Sequence, residues 1–165
     1  MRIAVIYYSH YGNVAYVANK LAEMLKSFGD VDLLEVDYSQ KTKNIFKRIF
    51  FRIFPKLVKL AEIKTDLREF DIVCFGMPVW GGRPSSPMLK YLKVYSNIRS
   101  KKIICFYVYG FESSAKTCAA YVDRILRQKS KVSPVNVFIP WTKVHEPHFV
   151  NKVFNLALTA LNLQK

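Results

Sequence analysis

Two stretches of the chain combine residue types that can do chemistry. The first is Ser9-His10-Tyr11-Gly12-Asn13-Val14, which follows an apolar run and leads into helical spacing. Successive backbone N–H groups and the positive end of a helix would converge there, which makes an anion site. Ser9 and Asn13 add side-chain donors, His10 adds charge when protonated, and Gly12 permits a tight turn or a close approach. The second stretch, residues 76–87, contains Pro78, Val79, Trp80, Gly81, Gly82 and Arg83 before Pro84-Ser85-Ser86-Pro87. Rigid turns, bare backbone and one large aromatic suit a flat ligand, and the plain alternative is a long connection with Trp80 packed as core. A third loop, Tyr109-Gly110-Phe111-Glu112-Ser113-Ser114, would close the other side. Neither a CxxxxxR phosphatase loop nor a GxxxxGK nucleotide loop occurs.

These loops need a frame. Apolar runs rich in Val, Ile, Phe and Tyr occupy residues 3–8, 31–36, 70–76, 102–108 and 134–139, and they predict five strands. Runs one, three and four are nearly continuous in hydrophobicity, as in strands covered on both faces, whereas 31–36 alternates and suits an edge. Helical stripes lie between them: Val14, Val17, Ala18, Leu21, Ala22 and Leu25; then Ala119, Val122, Ile125 and Leu126; then Val150, Val153, Phe154, Ala157, Leu158 and Leu161. Ser86-Pro87 predicts a further helix start, and Gly29 a helix stop. Alternating strands and helices with right-handed crossovers give one α/β domain over residues 1–165, a parallel sheet of order 2-1-3-4-5 between two helical layers. Ligands in such sheets bind where crossovers diverge, which places the chemistry after strands one, three and four.

A strand ending in G-x-P-x-W, followed by G-R-P and a proline-capped helix, resembles the flavodoxin-like family. More narrowly, it resembles the short flavodoxin-domain flavoproteins related to NAD(P)H-quinone oxidoreductases. The segment from Tyr8 to Val14 is similar to the family's phosphate loop, S-x-T-G-N-T, with Tyr11 and Val14 standing where threonines are usual. The resemblance covers nearly the whole chain and implies FMN. Its phosphate would lie on Ser9, His10, Tyr11, Gly12, Asn13 and Val14. Its ring would lie against Pro78, Val79, Trp80, Gly81, Gly82 and Arg83, with Tyr109, Gly110 and Phe111 on the far side. Gly81-Gly82 would approach the flavin edge near N5, and no catalytic triad is needed, because the cofactor performs the electron step. Loss of two hydroxyl donors implies weaker FMN binding.

The formal charge of +14 with a pI near 9.8 is satisfied by an anionic cofactor, an acidic redox protein, a phospholipid surface or a nucleic acid, and charge alone does not choose among them. The expected partner is an acidic redox protein or a small-molecule acceptor. Lys41, Lys43, Lys47, Arg48, Arg52, Lys56, Lys59 and Lys64 alternate with apolar and aromatic residues, with Phe51 among the cations and Pro55 a kink. This segment, residues 41–64, reads first as a crossover helix, and second as a docking element for anionic lipid or an acidic protein. Its aromatics are spaced for burial, which argues against nucleic acid. His145, Glu146 and His148 read as a helix-start cap rather than a metal site. Cys74, Cys105 and Cys118 form no CxxC pair, and together with the absence of a secretory signal they fit a reducing cytoplasm. Cys74 and Cys105 read as core, while Cys118 near a helix start would favour a thiolate. No apolar run reaches the roughly 20 residues of a membrane span. The functions that follow are flavodoxin-type electron transfer or reduction of a quinone-like acceptor. The alternative is a cofactor-free module docking through its basic face.

Overall fold

The computed structural model describes residues 1–37, 60–98 and 101–163. Its strands are β1 (Arg2–Tyr7), β2 (Asp30–Glu35), β3 (Ile72–Trp80), β4 (Arg83–Pro84), β5 (Lys102–Tyr109) and β6 (Val135–Pro140). Its helices are α1 (Asn13–Leu25), α2 (Ser86–Val94), α3 (Glu112–Arg127) and α4 (Pro147–Ala160), with one 3-10 turn at Trp141–Lys143. The long strands pair in parallel in the order β2-β1-β3-β5-β6, which is the 2-1-3-4-5 order expected from the sequence. β2 lies on an edge, and its mixed exposure explains its alternating sequence.

Side-chain alternation divides the core into two slabs. On one face Ile3, Val5, Ile72, Cys74, Ile104 and Phe106 meet Val17, Leu21, Val150 and Phe154 from α1 and α4. On the other, Ala4, Ile6, Val73, Phe75, Ile103 and Cys105 meet Tyr91, Leu92, Cys118 and Val122 from α2 and α3. The apolar stripes of the helices are the faces laid on the sheet, and the result is a three-layer α/β/α sandwich.

Several local expectations change. Residues 76–87 are not a free loop: β3 runs on to Trp80 and pairs antiparallel with β4, Val79 opposite Pro84 and Trp80 opposite Arg83. The two intervening residues, Gly81 and Gly82, both take positive φ, +58° and +74°. That is the signature of the two-residue hairpin turn whose twist matches that of the strands, and glycine adopts it without strain. α1 closes at Leu25 with a right-handed cap at Lys26, so Gly29 is not the helix stop. Gly29 is small for another reason: a Cβ there would lie 2.0 Å from the Met1 carbonyl oxygen. The cap of α2 is Ser85 rather than Ser86.

Cys118 faces the sheet in the second turn of α3, and burial pushes its thiol up to about 12, so it is not a thiolate. Lys64 forms an ion pair with Glu69 and sits over the Phe70 ring. The remainder of the basic crossover, through Lys59, lies outside the described residues. No helix among the described residues is long and apolar enough to cross a membrane.

Candidate functional site

At the carboxyl edge of the sheet, where crossovers from β1 and β3 leave toward opposite faces, the chain forms a cleft of about 240 Å³. Four strand exits line it: Ser9, His10, Tyr11, Asn13 and Val14 after β1; Pro78 and Trp80 on β3; Val108, Tyr109 and Gly110 from β5; and Trp141 after β6.

The β1 exit is built around a glycine. Gly12 caps α1 in a left-handed conformation, φ +87°, and a Cβ there would meet nothing within 4 Å. Lacking a side chain, it cannot accept a hydrogen bond from the first-turn N–H groups beyond the one its own carbonyl takes from Tyr16. Ser9 does so across the loop, its Oγ accepting the Ala15 N–H at 3.1 Å. The N–H groups of Asn13 and Val14, in the first turn, have no acceptor within the helix. Open space over Gly12, those donors and the helix dipole together make this turn electropositive, a place where an anion is favoured.

The β3 exit supplies a fixed aromatic wall. Trp80 stands edge-on to Tyr8, with ring centroids 6.0 Å apart, and edge-on to His10 at 5.5 Å. His10 is itself edge-on to Tyr11 at 4.3 Å, and its Nδ1 pairs with the Tyr8 hydroxyl at 3.1 Å. Trp80 is therefore half-buried and held from two sides. On the far wall Tyr109 is half-buried, and its phenol is raised above the usual value by desolvation and then by the charge of Glu112.

Of the residues expected from sequence to hold a cofactor, Ser9, His10, Tyr11, Asn13, Val14, Pro78, Trp80, Tyr109 and Gly110 come together on this lining. Gly12, Val79, Gly81, Gly82, Arg83 and Phe111 stand outside it. Gly82 is buried toward α3, where a Cβ would come 3.2 Å from Thr117 Cγ2. The Arg83 guanidinium packs 4.7 Å from the Tyr121 ring centroid on α3. Phe111 caps α3 and is 78% exposed. Val108 and Trp141 are additions that the sequence reading missed. The signal for Trp141 was its place directly after the last strand, at the edge where ligands bind.

His145 and His148 do not join the cleft. The His145 ring lies edge-on to Tyr16 at 4.7 Å. Glu146 caps α4 through its carbonyl, which accepts the Val150 N–H, while its carboxylate turns to Lys143 at 3.3 Å. Among the described residues no group of three or more His, Cys, Asp or Glu side chains could hold a metal.

A parallel sheet of this order with helices on both faces and a cleft at its switch point defines the flavodoxin-like fold. A candidate flavoprotein from Bacteroides eggerthii superposes with a TM-score of 0.66 at 17% identity, covering 94% of this chain and 97% of that one. Flavodoxin 2 from Bacillus cereus superposes with a TM-score of 0.60 at 17% identity, covering 96% of each chain. In sequence, the chain is 31% identical over 93 residues to an NAD(P)H dehydrogenase (quinone) from Paraburkholderia phymatum. That match takes in 55% of this chain and 45% of the relative, so the chain spans less than half the length of the relative it matches. No protein-family model matches.

Proposed function

We propose that this chain binds FMN in the cleft and acts as a redox protein, by flavodoxin-type electron transfer or by reduction of a quinone-like acceptor. The observation that carries the reading is the joining, in one cleft, of a helix N-terminal turn after β1 that favours an anion and an aromatic wall after β3 and β5. The fold and the partial likeness to a quinone dehydrogenase point the same way.

The residues present fit the cofactor. Backbone N–H groups of the first turn of α1, with Ser9 and Asn13, would hold the phosphate. Trp80, braced by Tyr8 and His10, and Tyr109 across from it offer apolar surface to a ring system. Bound FMN would supply reversible one- or two-electron chemistry. The protein's contribution is to bind and orient: Ser9 fixes the loop, and the β3–β4 hairpin fixes the end of the strand that carries Trp80. Exposure of Tyr11, at 84%, leaves the mouth open to an electron partner. With a formal charge of +14 the chain would favour an acidic partner, and that association would weaken as salt rises.

The test is the visible spectrum of protein purified without added cofactor, followed by titration of the apo form with FMN. A flavin absorption band with saturable quenching of flavin fluorescence is expected. Absence of both at FMN concentrations well above cellular levels would sink the reading.

A further inference from the structure

Trp141 comes from a strand exit that the switch-point rule does not assign to the ligand, yet it lines the cleft. Pairing of β5 with β6 puts Tyr109 opposite Pro140, which brings the next residue after each strand, Gly110 and Trp141, side by side. The indole then lies over bare backbone: its Cδ1 is 3.9 Å from where a Gly110 Cβ would stand, an ordinary van der Waals distance. The 3-10 turn Trp141–Lys143 and the preceding proline fix the backbone from which it projects.

The two tryptophans of the chain both line this cleft, and they differ in one respect. Trp80 is packed by Tyr8 and His10. Trp141 is 59% exposed, and among the described residues no aromatic ring packs on it. A large indole packed only on bare backbone and presented to a cleft adds little to folding, but it offers a rigid apolar surface at small entropic cost.

We propose that Trp141 is a ligand-contacting wall of the site, contributed by the β6 exit, and that it sets the preference of the cleft for a planar aromatic ring. The inference deepens the FMN reading and rests on it. FMN affinity is measured by fluorescence titration for the wild type, W141A and W141F, together with the melting midpoint of each apo protein. Loss of an aromatic platform under a stacked ring corresponds to roughly tenfold weaker binding. The expected result is therefore a drop of about tenfold in W141A and affinity within about threefold of wild type in W141F. All three apo midpoints should be the same. Equal affinity in wild type and W141A, or W141F as weak as W141A, overturns the role of Trp141 while leaving FMN binding intact. A lowered apo midpoint in W141A that accounts for the weaker binding assigns the residue to folding and overturns it too. Failure of the wild type to bind FMN instead overturns the FMN reading, and this proposal with it.

Discussion

Gly76 lies in the middle of β3, between Tyr7 of β1 and Phe106 of β5, and the Phe106 ring folds across it. A Cβ at this position would lie 2.0 Å from Phe106 Cζ, 2.4 Å from Cε2 and 2.7 Å from Cε1. Carbon atoms rest at about 3.5 Å or more, so the G76A variant must displace the ring or the strand by about 1.5 Å. The ring has little room to move, since Phe106 is fully buried and stands edge-on to Phe154 of α4 at 5.7 Å. Overpacking of this kind costs up to about 3 kcal/mol, less roughly 0.5–1 kcal/mol from the stiffer unfolded chain, for a net loss of about 2–2.5 kcal/mol. In a domain of this size that lowers the melting midpoint by about 5–10 °C. Urea unfolding followed by circular dichroism measures it, and F106L supplies the control. If ring contact is the cause, the G76A/F106L double variant should be more stable than the sum of the single changes by at least about 1 kcal/mol. A G76A variant within about 0.5 kcal/mol of wild type, or strict additivity of the pair, would refute the reasoning.

Other outcomes follow from the packing around single residues. Because nothing crowds Gly12, its cost of substitution is purely conformational: G12A should lose about 1–2 kcal/mol and G12N distinctly less, since Asn tolerates positive φ. Equal losses in the two urea titrations would contradict this. Removing the Ser9 hydroxyl deletes the cap on Ala15, so S9A should lose about 1 kcal/mol of stability and also weaken FMN binding. An unchanged unfolding midpoint would show that the cap is idle. The thiols of Cys74, Cys105 and Cys118 are all buried and held above their ordinary values by desolvation, so they stay protonated as pH rises through 8.5. Native protein should resist iodoacetamide there and react fully in denaturant; rapid labelling of the native state would count against the burial.

The sequence alone determined the layers and their order. Continuous apolar runs at 3–8, 70–76 and 102–108, short and rich in Val, Ile, Phe and Tyr, read as strands covered on both faces, the alternating run at 31–36 as an edge, and the stripes through Val17 and Leu21 or Val150 and Phe154 as the helix faces laid on them. The turn that opens α1, with Ser9 and Gly12 at its start, was equally legible, because its parts lie within six residues and its geometry is local. Where contacts are distant in sequence, only the tertiary structure decided. Gly76 is explained by Phe106, Gly29 by the carbonyl of Met1, and Gly82 by Thr117; none of these partners is visible from the glycine itself. The Gly81-Gly82 pair did carry a hairpin signal, yet β4 is too short to show periodicity, so pairing with Val79 and Trp80 had to reveal it. Trp141 is the clearest case. Its spacing marks it only as a residue after a strand, and its place beside Gly110 follows from the register between β5 and β6, which is set by packing across the whole sheet.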